Sequence, residues 1–229
     1  MIDWHSHILP EMDDGSRSID ESLALLRLLS EQGVDKVVAT PHFYANDESV
    51  GNFIARRQKA YEALCAEHFE SLPDILLGAE VRYYMGIGRL PDLNKLCIQN
   101  SKLLLLEMPT EKWSDYTIRE LTDISNTRNV KLVLAHIERY LPMQSSKAWN
   151  KLQQAGIMMQ VNASFFAEPA TKRKALSLLR KGCIHMIGSD CHNVKHRPPR
   201  LGSAFEIIRK KFGDEIIDQL NKSGRSLLT

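Results

Sequence analysis

Apolar residues fall into two alternating patterns along this chain. Short runs rich in Val, Ile and Leu cover residues 1–5, 36–41, 74–81, 102–108, 131–137, 158–163 and 185–190. Near-continuous apolar runs of this length are expected of parallel strands buried on both faces. Between them the apolar positions take a helical spacing. In 19–32, Leu23, Leu26 and the Leu28/Leu29 pair mark one face of a helix, with Gly33 following as a C-cap. Segments 52–69, 115–128, 145–155 and 170–180 read the same way, and Gly156 and Gly182 sit where the last two should stop. The stretch 203–220 predicts one or two helices around Gly213.

Seven strand–helix units in one series, with no linker, low-complexity segment or strong repeat, predict an α/β fold in a single domain spanning 1–229. The favoured architecture is an α/β barrel, and a doubly wound open sheet is its rival. No Gly-x-Gly-x-x-Gly or Walker-type loop follows any strand. That lowers the case for a nucleotide-binding sheet.

Composition narrows the function classes. The chain has 229 residues, 43% hydrophobic, which is too apolar for a disordered protein. Lys and Arg number 30 against 28 Asp and Glu, a formal net charge of +2. That provides no field for broad nucleic-acid binding. The basic runs Lys172-Arg173-Lys174 and Arg209-Lys210-Lys211 read as solvated helix faces. Residues 1–5 carry neither a basic region nor an apolar stretch, and the most apolar run, 103–106, is far too short to span a membrane. The expectation is a soluble cytoplasmic protein without membrane insertion. Cys65, Cys97, Cys183 and Cys191 are widely spaced with no Cys-x-x-Cys pair, so reduced thiols are expected.

The chemistry lies in where the polar residues fall. Each of six predicted strands ends in a metal-ligand type: His5 and His7, His42, Glu80, Glu107, His136, and Asp190 with His192. Asp14 follows the first strand within a loop. Alternate strand residues share a side, so His5 and His7 converge on one cation. Asp190 and His192 either do the same or splay onto different ions. In a barrel these ends form the mouth. His68, His185 and His196 lie elsewhere and read as structural or surface residues. Nine ligand-type side chains exceed what one tetrahedral ion uses, so two or three ions are expected. Imidazole and carboxylate donors together suit zinc, manganese or iron.

These motifs are Asp-x-His-x-His at the start, Thr40-Pro41-His42, Gly78-Ala79-Glu80, Glu107, Ala135-His136-Ile137-Glu138-Arg139-Tyr140 and Gly188-Ser189-Asp190-Cys191-His192-Asn193. As a set, with Asp13-Asp14-Gly15 and Arg197-Pro198-Pro199, the chain resembles the polymerase and histidinol phosphatase (PHP) family. Within that family it is similar to the bacterial capsule and exopolysaccharide protein-tyrosine phosphatases of the CpsB/YwqE type. The resemblance runs from residue 1 to about 220. It implies a distorted (β/α)7 TIM-like barrel (the PHP fold) with three divalent ions at its mouth. Manganese is the implied metal, with iron, zinc or cobalt as alternatives. His5, His7, Glu80 and Asp190 would hold the first ion. Glu80 would bridge to a second, completed by Glu107 and His136, and Asp14, His42 and His192 would hold the third. Arg139 and Arg197 match phosphate-binding positions. The implied substrate is a phosphotyrosine-bearing bacterial tyrosine kinase of polysaccharide assembly.

The residues fit such an activity. Three divalent ions over-compensate four carboxylates, and two guanidinium groups add further positive charge for a phosphate dianion. The ions would lower the pKa of a bridging water, orient the phosphate and neutralise its oxygens, and the hydroxide would attack phosphorus in line. Arginines grip such oxygens bidentately. Phe43, Tyr44, Tyr83, Tyr140, Phe165 and Phe166 lie near strand ends, where they either wall an aromatic cleft or simply pack. Two other functions stay open: a PHP phosphoesterase acting on a small metabolite such as histidinol phosphate, and a non-catalytic protein that binds a phosphotyrosine tail. Cys191 and Arg197 also have the Cys-x5-Arg spacing of cysteine-dependent phosphatases. That mechanism needs a loop of free backbone N–H groups and a lowered thiol pKa, and the intervening residues include no glycine.

Overall fold

Residue 2 already lies in a strand. In the computed structural model, which describes residues 1–67, 72–127 and 129–228, the strands are β1 (Ile2–Ser6), β2 (Lys36–Ala39), β3 (His42–Phe43), β4 (Asp74–Leu77), β5 (Glu80–Arg82), β6 (Leu103–Glu107), β7 (Lys131–Leu134), β8 (Met158–Asn162) and β9 (Met186–Gly188). Every pairing is parallel. The orders are β1-β2-β4 and β3-β5-β6-β7-β8-β9.

Two of the seven expected strands are each split. The run 36–41 divides into β2 and, beyond Thr40-Pro41, β3. The run 74–81 divides at Gly78-Ala79 into β4 and β5. Pro41 has no N–H to donate to the ladder. The wall nevertheless stays bonded across the break: Gly78 N–H donates to Ala39 O at 2.8 Å, and Glu80 N–H to Pro41 O at 3.0 Å. Counting each split pair once leaves seven walls, and they follow one another in chain order. The circuit closes where β9 meets β1. Asp190 N–H donates to His5 O at 2.8 Å, His7 N–H donates to Cys191 O at 2.9 Å, and Ser6 bridges Cys191. A doubly wound open sheet is thereby excluded, and the distorted barrel stands.

Gly188 makes that closure possible. A Cβ there would lie 2.5 Å from His5 Cβ and 2.8 Å from His5 N. Alternate residues of β6 serve two apolar clusters. Leu103 and Leu105 join Ile2, Trp4, Val38, Val133 and Met186, a set drawn almost wholly from strands. Leu104 and Leu106 join the larger cluster shared with the helices. Burial on both faces is what the unbroken apolar runs required.

The helices are α1 (Ile19–Glu31), α2 (Val50–Cys65), α3 (Asp115–Thr127), α4 (Ser146–Gln154), α5 (Ser164–Ala167), α6 (Pro169–Arg180), α7 (Leu201–Phe212) and α8 (Asp214–Arg225). Ser18, Ser49 and Ser145 cap α1, α2 and α4 by accepting the N–H of Glu21, Asn52 and Ala148. The expectation for 203–220 resolves into two helices, because Gly213 takes φ +82 between α7 and α8. Helix α2 ends at Cys65, earlier than expected. Ala66 and Glu67 lie beyond the helix as a turn and a bend, and His68 and Phe69 of that expected span lie outside the described residues, as does Arg128 after α3. The short α5 gives no signal in the apolar spacing. Among the described residues, no helix is long and apolar enough to cross a membrane.

Candidate metal centre and active site

All nine expected ligands meet in one connected cluster at the C-terminal ends of the strands. His5 Nε2 and His7 Nε2 face each other at 3.2 Å. Glu80 lies among four imidazoles: its Oε2 is 3.2 Å from His5 Nε2, 3.3 Å from His7 Nε2 and 3.1 Å from His42 Nδ1, and its Oε1 is 2.8 Å from His136 Nε2. Glu107 Oε1 is 3.8 Å from His136 Nε2. Asp190 Oδ1 stands 3.7 Å from His5 and 3.5 Å from His7. Asp14 Oδ1 approaches His42 Nε2 at 3.5 Å and His192 Nε2 at 3.4 Å.

Asp190 and His192 do splay. Asp190 turns toward the His5–His7 pair and His192 toward Asp14. The backbone causes this, since Asp190 has φ +52. His136, just past β7, also takes a left-handed φ of +32. Non-glycine residues enter this region rarely and at a cost. Both strained positions carry cluster side chains.

The donor set fits divalent cations. His5, His7, Glu80, Glu107, His136, Asp190 and His192 are buried. The His42 Nδ1 and His192 Nε2 atoms are buried and make no aligned hydrogen bond, although carboxylate oxygens of Glu80 and Asp14 lie 3.1 and 3.4 Å away. Such orphans are costly in the absence of a ligand. Two ring nitrogens facing at 3.2 Å cannot both carry protons. Among the described residues, three groups have donor atoms close enough to share an ion: His7, Asp14, His42 and His192; His5, His7 and Asp190; and His42, Glu80 and Glu107.

The rings are held from behind. Asp13 Oδ2 lies 2.7 Å from His7 Nδ1 and also accepts the His42 N–H at 2.8 Å. Tyr140 Oη lies 3.1 Å from His136 Nδ1 and accepts the Met108 N–H. Gln160 Oε1 accepts the His136 N–H at 2.6 Å and lies 3.4 Å from His5 Nδ1. Asn162 Nδ2 donates to Asp190 Oδ2 at 2.8 Å. Asp3 takes the Ser189 hydroxyl and N–H and so locks β9 to β1. Partners of this kind fix ring orientation and basicity. The sequence reading missed them. Gln160 did leave a signal, being a polar residue inside a buried apolar run. Asp13 left none that separates it from Asp14.

Electrostatics follow from this packing. Burial opposes charge on His7, but hydrogen bonds and charge from Asp13 and Glu80 outweigh it and push the ring up to about 10. Burial likewise works against charge on Asp13, and His7 with the amides of His42 and Gly15 holds it well below the usual carboxylate range. Burial, then the like charges of His7 and Arg197, bring His192 down to about 4.

Arg139 and Arg197 converge on one carboxylate. Their guanidinium groups lie 3.0 and 2.9 Å from Asp190 Oδ2, and both are half-exposed at the mouth. Arg139 also approaches Glu107 at 3.7 Å, and Arg197 approaches Asp14 at 3.8 Å.

The cysteine route is closed by the same loop. Cys191 is fully buried, and burial pushes its thiol up. The amides that a phosphate cradle would need are spent internally. His192 N–H donates to Arg197 O, and Asn193 Oδ1 takes the N–H groups of Lys195, His196 and Arg197. Of the six aromatics, Phe43, Phe165, Phe166 and Tyr140 are core residues. Tyr83 donates its hydroxyl to Glu120. Tyr44 alone of these is exposed at the mouth, its ring 5.4 Å from that of His42. His185 Nδ1 accepts the Met159 N–H, a structural role, and His196 is exposed.

Fold and site together define an α/β barrel with a carboxylate–imidazole centre built for cations. The chain belongs to the family described as capsular polysaccharide synthesis, CpsB/CapC, whose model matches residues 1–227. It is 31% identical to the tyrosine-protein phosphatase CpsB of Streptococcus agalactiae, over 96% of this chain and 94% of that protein. It is 30% identical to the tyrosine-protein phosphatase YwqE of Bacillus subtilis, over 100% and 91%. The crystal structures of YwqE from B. subtilis and CpsB from Streptococcus pneumoniae, described as metal-dependent tyrosine phosphatases, match with a TM-score of 0.83 at 27% identity, covering 100% of this chain and 94% of the other. Histidinol phosphate phosphatase from Lactococcus lactis shares the fold, with a TM-score of 0.59 at 13% identity over 91% and 92%.

Proposed function

We infer that the chain is a metal-dependent protein-tyrosine phosphatase acting as one domain over residues 1–229. The observation that carries this is the pair of half-exposed guanidinium groups of Arg139 and Arg197, poised on Asp190 at the edge of the cation cluster. His5, His7, Glu80 and Asp190 would hold one ion, Glu80, Glu107 and His136 a second, and Asp14, His42 and His192 a third, with manganese as the working metal. Bound ions supply Lewis acidity and lower the pKa of water. The chain's own residues do the rest. Arg139 and Arg197 bind phosphate oxygens through planar forks that lysine cannot reproduce. Asp13, Gln160 and Tyr140 keep the imidazoles aimed. Tyr44 edges the entrance where an aryl group would lie. A phenolate leaving group, with a pKa of about 10, needs less proton assistance than an alkoxide. The reading therefore requires no dedicated general acid.

The physiological substrate in this reading is a phosphotyrosine-bearing bacterial tyrosine kinase of polysaccharide assembly. The test compares a phosphotyrosine peptide with histidinol phosphate, before and after chelation. Turnover of the peptide in preference, lost on chelation and restored by manganese, is expected. Tight peptide binding with no turnover in the metal-replete protein would leave a binding protein instead. Preference for histidinol phosphate would make it a small-metabolite phosphatase.

A further inference from the structure

A cavity of about 440 Å³ opens beside the cluster and reaches from Asp190 and Arg139 to Arg200. Its basic groups are Arg139, Arg197 and Arg200, with His196 at its side, and its carboxylates are Glu138, Glu168 and Asp190. Most of these charges are already matched. Asp190 faces both Arg139 and Arg197. Glu138 Oε1 accepts the Asn162 N–H at 3.1 Å. Glu168 is exposed.

Four groups are left over: the exposed side chains of His196, Glu168 and Arg200, and the buried Oε2 of Glu138; of these, Arg200 alone is a permanent cation. Arg200 is exposed and, among the described residues, its guanidinium has neither an ion pair nor a hydrogen bond. Glu138 Oε2 is buried without a hydrogen-bond partner. Arg200 is an open donor fork on the lining of this cavity, whereas Glu138 Oε2 is closed off from solvent. An acidic side chain entering this cavity answers Arg200, because its carboxylate accepts from the guanidinium. A guanidinium pairs with a carboxylate bidentately, which makes the match geometric as well as electrostatic. A second cavity at the mouth, of about 340 Å³, shares no lining residue with the first and is acidic, with Asp13, Asp14, Asp47 and Glu48. Its one arginine, Arg56, is already spent on Glu48 and the Met12 carbonyl, so the preference belongs to one flank.

We propose that the cavity between Asp190 and Arg200 is a subsite for an acidic side chain flanking the phosphotyrosine, selected by Arg200. This rests on the phosphatase reading and specifies its substrate class: phosphotyrosine segments carrying a neighbouring Asp or Glu.

The test uses the full, manganese-loaded chain and three phosphotyrosine peptides of equal length, with Glu, Ala or Lys flanking the phosphotyrosine. The readout is the ratio of kcat/KM between peptides within each protein, so a variant with lower overall activity remains informative. The unaltered protein should favour the Glu peptide over the Ala peptide by about threefold to tenfold, the scale of a partly exposed ion pair. Arg200→Ala should bring that ratio to about one. Arg200→Glu should turn the preference toward the Lys peptide, and Arg200→Lys, which keeps charge without the fork, should give an intermediate ratio. Equal rates on all three peptides by the unaltered protein, or an unchanged ratio in Arg200→Ala, would overturn the subsite. Failure of the unaltered protein to hydrolyse p-nitrophenyl phosphate would instead remove the phosphatase reading, and the subsite with it.

Discussion

Asp13 grips His7 from the side of the ring that faces away from His5. Its Oδ2 lies 2.7 Å from His7 Nδ1, while His7 Nε2 faces His5 Nε2 at 3.2 Å. The same carboxylate accepts the N–H groups of His42 and Gly15. One side chain thus sets the ring of one expected ligand and the backbone of another. Asp13→Asn keeps the shape and removes the charge. Cation affinity should fall by about 10- to 100-fold, with the far-UV circular dichroism unchanged. Competition against a fluorescent chelator measures it, and an unaltered affinity would sink the role given to Asp13.

His136 and Arg139 sit three residues apart and should fail in different ways. His136 Nε2 lies 2.8 Å from Glu80 within the cluster. Arg139 reaches Asp190 from a half-exposed position. His136→Ala should lose bound metal. Arg139→Ala should retain metal and lose phosphate turnover by about 100-fold, as for the loss of one charge-stabilising donor. Elemental analysis beside an aryl phosphate assay separates the two, and full activity in both variants would refute the assignment.

Cys191→Ser should leave turnover close to that of the unaltered protein. The thiol is buried, pushed away from ionisation and ringed by amides already in use. A buried hydroxyl there will lower stability somewhat. Near-total loss of activity with the metals retained would favour a thiolate nucleophile.

Asp35 ties both ends of the chain together. It pairs with the N-terminal ammonium at 2.9 Å and with Arg225 of α8. Burial works against its charge, but these two cations hold its carboxyl below the usual 3.8. A depressed folded-state pKa adds stability above the unfolded value, and that stability is lost as pH falls through the folded value. Asp35→Asn should therefore lower Tm slightly at pH 7, with the deficit shrinking as pH drops below 3.8 and gone once it passes the still lower folded value. The effect is small because the pair is half-exposed. A deficit as large at pH 3 as at pH 7 would argue that packing, not charge, is lost.

Much of the fold could be read before any coordinates. Apolar runs located each strand, and the helical spacing located most helices. Gly213 marked a break that the spacing left as either one or two helices. The splitting of two strands was hidden. It depends on a missing N–H at Pro41 and on how Gly78 packs against Thr40, not on hydrophobic pattern. The short α5 was hidden too, because four residues are too few to show a period.

The candidate site divides along the same line. Residue type and strand-end position selected all nine cluster side chains, because a parallel barrel directs every strand's C-terminal end to one mouth, while the two arginines came only from the family resemblance. What the sequence by itself determined is therefore the inventory of the site and the face on which it lies. Only the tertiary structure decided who holds whom: that Asp13 rather than Asp14 backs His7, that Gln160 and Asn162 of a strand without expected ligands brace His136 and Asp190, and that Arg200 is left unmatched. The contacts that brace the cluster reach far along the chain, 155 positions between His5 and Gln160 and 186 between Asp3 and Ser189. They depend on barrel closure at Gly188 and on the left-handed turns at His136 and Asp190. Periodicity records which way a side chain faces along its own strand, but not which neighbour the closed barrel brings to meet it.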